Sequence, residues 1–152
     1  MRAPYQVLVL LYRLSGNQPE FCVFHRRSPI VWQFVSGGGE NAEQPEQAAY
    51  REIFEETGLE VSSLYPLTAL AHVPAAVINE KRRQGWPDST YVLPEYPFAA
   101  QVNAEPVLSE EHTEYRWCTY EQAQALLRFD SNKIALYELN CRLTKMVLPW
   151  KV

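Results

Sequence analysis

The sequence predicts an α/β fold in which a mixed β-sheet lies between helices, an α-β-α sandwich. Two β-prone segments open the chain, a segment rich in helix formers follows, and further β-prone segments precede two helical ones. This order differs from the regular strand–helix alternation of a doubly wound parallel sheet. The chain length of 152 residues suits one domain, which we expect to span residues 1–152.

The N-terminal part predicts a hairpin and a short third strand. Residues 5–14 and 21–27 are β-prone, and the polar residues 15–20 between them predict a turn. Residues 31–35 predict a short strand. Three consecutive glycines in the segment 36–40 predict a loop with free backbone amides, because glycine weakens the interior of a helix or strand.

The middle of the chain predicts one helix and a proline-containing strand. Residues 45–57 are rich in helix formers, and Gly58 suits the left-handed residue that often ends a helix. Residues 67–78 are β-prone or mixed, and residues 79–90 predict a polar loop. Residues 91–102 predict a strand that two prolines interrupt, so we place it at a sheet edge or a bulge.

The C-terminal part predicts one more strand and two helices. Residues 114–119 alternate between polar and apolar and predict the last strand. Thr119 and Gln122 have the spacing of a capping box, which predicts a helix at 120–128. Residues 131–146 predict the closing helix.

Composition argues against some classes of function. The net charge of −4 and the pI of about 5.4 disfavour a broad nucleic-acid-binding face. Three cysteines without C-x-x-C spacing predict reduced thiols and a cytoplasmic protein, with neither a disulfide framework nor a zinc site. The apolar run 7–12 is too short to span a membrane. We therefore expect neither nucleic-acid nor membrane partners.

The predicted helix at 45–57 carries a cluster of carboxylates. Glu52, Glu55 and Glu56 share a sector of roughly 100° on an ideal helix, beside Arg51. Like charges at this spacing destabilise an isolated helix by a few tenths of a kcal/mol. One interpretation is a solvated acidic face; the other is a site for Mg²⁺ or Mn²⁺, which prefer oxygen ligands.

The spacing of this cluster extends to a longer motif. Gly37 is followed by five residues and Glu43, then by seven residues and the segment 51–59, which reads REIFEETGL. This resembles the Nudix box at every specified position. The resemblance implies the Nudix fold and hydrolysis of a nucleoside diphosphate linked to another group.

The resemblance also implies roles for individual residues. Mg²⁺, with Mn²⁺ as the alternative, would bind Glu52, Glu55 and Glu56, and the carbonyl of Ser36 would join it. Arg51 would orient a metal-binding glutamate, and Glu43 would serve as an outer, mainly structural acid. The catalytic residues expected from the box are Glu52, Glu55, Glu56 and Arg51. Glu111 joins this set because of a second resemblance, described next.

A second resemblance lies further along the chain. Glu111-His112 followed by Tyr115-Arg116-Trp117 is similar to the dATP and dihydroneopterin triphosphate pyrophosphohydrolases of the family. It makes Glu111 the expected further metal ligand or general base. Its rivals are Glu110 and Glu114, and His112 is expected in a loop or supporting position.

Substrate contacts are expected from cationic, aromatic and glycine residues. Cationic side chains can bind phosphates, and an aromatic ring can stack on a base or pterin. The residues expected to contact substrate are Arg26, Arg27, Trp32, Gly37, Gly38, Lys81 and Arg82. The alternative role of Arg26 and Arg27 is to keep the edge of a strand soluble, and that of Trp32 is to fill the core. Lys81 and Arg82 would alternatively lie in a solvated loop at 79–90.

The predicted reaction converts a nucleoside or pterin triphosphate to a monophosphate and pyrophosphate. ADP-ribose hydrolysis is the second enzyme hypothesis, because Pro74 follows the box at about the spacing found in ADP-ribose hydrolases. A non-catalytic Nudix-fold nucleotide-binding module is the alternative of another class. The partner is expected to be a small nucleoside or pterin polyphosphate, and a homodimer is left open.

Overall fold

The computed structural model describes residues 1–146 and 148. It contains eight strands and three α-helices within these residues. The strands are β1 Arg2–Ser15, β2 Gln18–Arg26, β3 Trp32–Gln33, β4 Val35–Glu40, β5 Tyr65–Pro66, β6 Ala71–Pro74, β7 Val92–Gln101 and β8 His112–Cys118. The helices are α1 Pro45–Thr57, α2 Tyr120–Leu126 and α3 Asp130–Lys145, and two short 3₁₀ helices lie at Ala75–Val77 and Glu80–Arg83.

Strand β1 is the centre of a mixed sheet. It pairs antiparallel with β2 and β4 along different parts of its length, and parallel with β7 on its other side. Strand β7 in turn pairs with β5 and β6, while β2 pairs with β3 and β8. The mixture of parallel and antiparallel pairs agrees with the sequence prediction.

The side chains of β1 alternate between two hydrophobic cores. Leu8 and Leu10 point into the core that α2 and α3 cover, whereas Val7 and Val9 point into the core that α1 covers. This period of two is what a strand buried on both faces requires. The predicted α-β-α sandwich is therefore confirmed.

The glycine segment is a strand, so the loop prediction for 36–40 is wrong. In β4, Gly37 pairs with Val7 and Gly38 with Gln6. A Cβ atom at Gly37 would clash with the carboxyl group of Glu52, and one at Gly38 would clash with the guanidinium of Arg2. Glycine is needed here for close approach of side chains from neighbouring elements, which sequence propensity does not reveal.

The proline-containing strand lies inside the sheet, so its placement at an edge is also wrong. Strand β7 pairs with β1 on one side and with β5 and β6 on the other. Pro97 falls between the segments that pair with β5 and β6, where the ladder is interrupted, and its carbonyl accepts a hydrogen bond from Leu67 N at 2.9 Å. Pro94 precedes the first β1–β7 pair, Gln6 with Glu95.

The predicted C-terminal cap of α1 and the predicted N-terminal cap of α2 are confirmed. Gly58 has φ 70° and donates its N–H to Phe54 O at 2.8 Å. Thr119 and Gln122 form the predicted capping box at the start of α2. No helix in the described part of the chain is both long and apolar enough to cross a membrane.

Candidate active site

A cleft of about 670 Å³ opens where α1 and β4 meet β1, β7 and the first residues of α3. Its acidic side is formed by Glu52 and Glu55 of α1 and by Glu111, which precedes β8. Its apolar side includes Val77 and Phe129. A concave site with a charged side and an apolar side suits a ligand that has an anionic part and a ring.

Helix α1 places its three glutamates at different depths. Glu56 is 2% exposed and Glu52 is 9% exposed, whereas Glu55 faces solvent. Ala49 and Ile53 bury the other side of the helix against the sheet. Because Gly37 has no side chain, β4 passes close to the Glu52 carboxyl group.

Arg51 connects the carboxylates of α1 to β4 and to the segment before the helix. Its Nε donates to Glu43 Oε2 and its Nη2 to Glu43 Oε1, both at 2.9 Å. Nη2 also donates to Gly38 O at 2.8 Å. Nη1 donates to Glu52 Oε1 at 2.9 Å and to Glu55 Oε2 at 3.1 Å. The two hydrogen bonds that Arg51 donates to Glu43 are the main reason that the pKa of Glu43 is below its usual value.

The carboxylate of Glu56 has no hydrogen-bond donor at either oxygen among the described residues. Burial raises its pKa well above the usual value, and the nearby carboxylates of Glu111 and Glu52 raise it further. The positive charge of Arg26 opposes this rise. A buried carboxylate without a donor costs folding free energy, so its presence calls for a functional explanation.

Glu52 also has an unusual charge environment. Burial raises its pKa to about 7, and Glu55 and Glu111 contribute in the same direction. The hydrogen bond and charge of Arg51 act against this rise. The three carboxylates of Glu52, Glu56 and Glu111 are therefore close enough to influence one another.

These residues fit a hard divalent cation. The two oxygens of Glu56 lack donors, and a cation would supply the missing positive charge. No three acidic, histidine or cysteine side chains within residues 1–146 and 148 already converge as a metal-binding group. Arg51 donates to one oxygen of Glu52 and to one oxygen of Glu55, so the other oxygen of each carboxylate can bind a cation.

Only part of the sequence-predicted substrate set reaches the cleft. Gly37, Gly38, Arg26 and Arg82 line it, and so does Ser36 of the predicted metal-binding set. Arg27, Trp32 and Lys81 are absent from its lining as far as the described residues show.

The three predicted residues outside the cleft have other contacts or lie in solvent. Trp32 packs on the core under α2 and α3, and its ring contacts His25 at 4.9 Å. The Nε of Arg27 donates to Glu110 O at 2.9 Å. Lys81 is exposed in the short 3₁₀ helix of the loop 79–90.

Glu111 lines the cleft, but its two sequence rivals do not. Glu114 is an exposed strand residue 3.5 Å from Arg116, and Glu110 is exposed. His112 is buried at the start of β8 and not in a loop, with its ring 5.3 Å from that of Phe24. Burial lowers the pKa of His112, so its ring is biased toward the neutral form.

Comparison with known families agrees with this geometry. The family model described as NUDIX domain matches residues 4–139. The chain belongs to the Nudix family. A crystal structure of a candidate Nudix hydrolase from Listeria monocytogenes is 41% identical, with a TM-score of 0.85, and the match covers 97% of this chain and 99% of that one.

Curated relatives within the Nudix family have two different names. A dihydroneopterin triphosphate diphosphatase from Haemophilus influenzae is 30% identical over 144 residues, which cover 90% of this chain and 88% of the relative. An RNA pyrophosphohydrolase from Caulobacter vibrioides is 31% identical over 111 residues, or 68% of this chain. This chain spans only 64% of the length of the Caulobacter relative.

Several polar residues of the Nudix cleft were missed by the sequence analysis. Arg2, Gln6, Gln33, Glu95 and Asn132 line it, and all except Gln6 are almost fully buried. A single carboxylate in the otherwise apolar strand sequence VLPEYPF was a usable signal for Glu95. The others depend on strand pairing and helix packing, which bring together residues that are far apart in sequence.

Proposed function

We propose that this Nudix protein hydrolyses a nucleoside or pterin triphosphate to the monophosphate and pyrophosphate, with Mg²⁺ as cofactor and Mn²⁺ as the alternative. Glu52, Glu55, Glu56 and Glu111 would hold the ion together with the carbonyl of Ser36. The observation that carries this assignment is the buried Glu56 carboxylate, which lacks a donor and lies beside Glu52 and Glu111.

When bound, the ion neutralises phosphate charge and acidifies a water molecule. In the hydrolysis, the water oxygen forms a bond to phosphorus, and the bridging P–O bond to the leaving pyrophosphate breaks. Glu111 would accept the proton of the attacking water, which its position in the cleft lining and its closeness to Glu56 support. Arg26 and Arg82 contribute positive charge to the cleft for the phosphates.

Arg51 and Glu43 act as positioning residues in this proposal. Arg51 contacts Glu52 and Glu55, and Glu43 fixes the guanidinium from the other side. A guanidinium that binds a carboxylate through two parallel hydrogen bonds has a defined orientation. The pair therefore sets the direction from which the metal-binding carboxylates reach the cleft.

The choice of a triphosphate rests on similarity to relatives as well as on the site. The Haemophilus relative is named for dihydroneopterin triphosphate, and the Caulobacter relative for RNA. ADP-ribose is the second candidate, because Pro74 lines the cleft near Val73 and Val77. Triphosphorylated RNA is a third, although the net charge of −4 disfavours a long nucleic-acid contact.

A substrate panel with product identification tests these proposals. Purified protein with Mg²⁺ would be given dNTPs, dihydroneopterin triphosphate, ADP-ribose and a 5′-triphosphorylated RNA oligonucleotide. We expect a monophosphate and pyrophosphate from a triphosphate, and a loss of several powers of ten in kcat for Glu56→Gln. Normal turnover of Glu56→Gln would exclude the assigned metal site.

The panel also separates the enzyme from a binding module. A non-catalytic nucleotide-binding protein would show ligand-dependent stabilisation without product. Absence of turnover on every compound, together with no stabilisation by Mg²⁺, would contradict the enzyme proposal and favour the binding module.

A further inference from the structure

A buried glutamate on β7 also lines the cleft. Glu95 is 4% exposed and pairs with Gln6 across the parallel β1–β7 ladder. Its Oε2 accepts a hydrogen bond from Gln6 Nε2 at 2.9 Å. The Ser131 hydroxyl lies near enough to the carboxylate to oppose the rise in pKa that burial causes, but Oε1 accepts no hydrogen bond within residues 1–146 and 148. Such an oxygen is costly in a folded protein, and a ligand donor can supply what it lacks.

Neighbouring contacts fix the orientation of the Gln6 amide. Its Nε2 donates to Glu95, and its Oε1 accepts from Arg2 Nη2 at 3.1 Å. Arg2 is itself held by hydrogen bonds to Ala3 O and Tyr5 O. With the amide nitrogen already directed at Glu95, this part of the cleft offers a ligand the acceptor oxygens of a carboxylate.

Apolar side chains that could pack on a ring share the cleft with Glu95. Val73, Val77, Ile78 and Phe129 supply apolar surface to the same cleft. Phosphates, by contrast, would be repelled by Glu95 and would bind near Arg26 and the cation site. A triphosphate with an attached ring can therefore occupy both sides at once.

We propose that Glu95 recognises the ring of the substrate by accepting hydrogen bonds from a ring N–H and an adjacent amino group. Rings of the 2-amino-4-oxo class, guanine and pterin, present these two donors side by side. Adenine presents one amino group beside a ring nitrogen that is an acceptor, which the carboxylate would repel. The inference rests on the proposed function, because it names the substrate class of the same cleft.

The carboxylate can reach such a ring without leaving its rotamer. The terminal torsion of a glutamate side chain has a broad energy profile, so Oε1 can turn toward the cleft. Each carboxylate oxygen can accept two hydrogen bonds, so Oε2 can accept from Gln6 Nε2 and from a ring donor together. Loss of one charge-assisted hydrogen bond corresponds to a discrimination on the order of 10- to 100-fold.

The test compares kcat/KM for dGTP and dihydroneopterin triphosphate with that for dATP, in wild type and Glu95→Gln. Wild type should prefer one or both of the first two, and the comparison between them separates guanine from pterin. The amide of Glu95→Gln can accept from the adenine amino group and donate to its ring nitrogen. The preference should therefore fall by about 10-fold or more. The matched control Glu60→Gln changes an exposed glutamate just after the box and should keep the wild-type ratio.

An equal loss on all three substrates, or an unchanged ratio in Glu95→Gln, would overturn the assignment and leave Glu95 a structural residue. If Glu95→Gln does not fold, Glu95→Asp carries the test, because it keeps the charge but shortens the side chain and so withdraws the acceptor oxygens from the ring. A ratio unchanged in Glu95→Asp would then contradict the proposal.

A binding measurement separates this inference from the proposed function. Dissociation constants for GMP, neopterin and AMP can be measured calorimetrically without Mg²⁺ and without turnover. If wild type hydrolyses no triphosphate but binds GMP or neopterin more tightly than AMP, and Glu95→Gln loses this difference, recognition stands and the hydrolase proposal fails. If triphosphates are hydrolysed but GMP, neopterin and AMP bind with equal dissociation constants, the recognition proposal is contradicted and the hydrolase proposal is not.

Discussion

Arg51 and Glu43 form a bidentate ion pair, with two hydrogen bonds of 2.9 Å between the guanidinium and both carboxylate oxygens. The remaining donors of Arg51 are directed at Gly38 O, Glu52 and Glu55. One side chain thus links the segment before α1, strand β4 and the proposed metal ligands. Lysine cannot reproduce this set of bonds, because it has a single ammonium group.

Arg51→Lys should therefore weaken the response to Mg²⁺. Partners that orient metal ligands typically contribute 10- to 100-fold to metal affinity or activity, so we expect the Mg²⁺ concentration for half-maximal activity to rise by about that factor. The control is Arg13→Lys, at a partly exposed pair with Glu20 at 2.8 Å. An unchanged Mg²⁺ titration in Arg51→Lys would show that the guanidinium does not position the site.

Glu56→Gln should stabilise the metal-free protein at neutral pH. Burial raises the pKa of Glu56, so the folded state binds more protons than the unfolded state between the two pKa values. Stability is therefore lost as pH rises through that window, and the neutral amide avoids the loss. We expect Tm of the variant in EDTA to exceed that of wild type at about pH 8, with the gap closing toward about pH 4.

Added Mg²⁺ should reverse this order, because ligand binding stabilises only the protein that retains its ligands. Glu60→Gln, an exposed neighbour, should follow wild type throughout. Scanning fluorimetry across pH, with and without Mg²⁺, measures both effects. A Glu56→Gln protein that is less stable than wild type at every pH would contradict the assigned burial penalty.

Gly37→Ala should damage both stability and metal binding. The new methyl group would overlap the Glu52 carboxyl, and forcing extra volume into a packed site costs about 1–3 kcal/mol. Gly58→Ala is the informative comparison, because its φ of 70° is unfavourable for alanine but its Cβ would meet only Val107, at 3.8 Å. Urea unfolding should show both losses, while the Mg²⁺ response should change only in Gly37→Ala.

Glu111→Gln tests the proton acceptor. Loss of a positioned general base typically reduces rate by about 10²- to 10⁴-fold, and the acidic limb of the pH–kcat profile should disappear. Glu110→Gln, an exposed neighbour outside the cleft, should leave the profile unchanged. A Glu111→Gln enzyme with the wild-type profile would move the role to another group.

The helical parts of the fold could be predicted because their signals are local. Gly58 ends α1 in a left-handed conformation that glycine adopts easily. Thr119 and Gln122, three residues apart, form the capping box that begins α2. Gly37 and Pro97 misled the sequence analysis for the opposite reason. Gly37 is needed in its strand because the Glu52 carboxyl leaves no room for a side chain there. Pro97 lies inside the sheet because it falls in the gap between β5 and β6, and only the tertiary structure reveals either feature.

The α1 cluster was also visible in sequence, since helical periodicity alone places its carboxylates together. The ring side of the cleft was not. Glu95 and Gln6 are 89 positions apart and meet only through the parallel β1–β7 pairing. Trp32 was chosen for its aromatic ring, but that ring packs toward the core and His25.

Trp86 should serve as a fluorescence reporter of ligand binding in the cleft. Its indole N–H donates to Arg2 O at 2.7 Å, and the Arg2 guanidinium lies 5.8 Å from its ring centre. Arg82, four residues earlier in the same loop, lines the cleft together with Arg2. Ligand entry should therefore change the emission of Trp86, and subtraction of the Trp86→Phe signal would give a label-free fluorescence readout of occupancy.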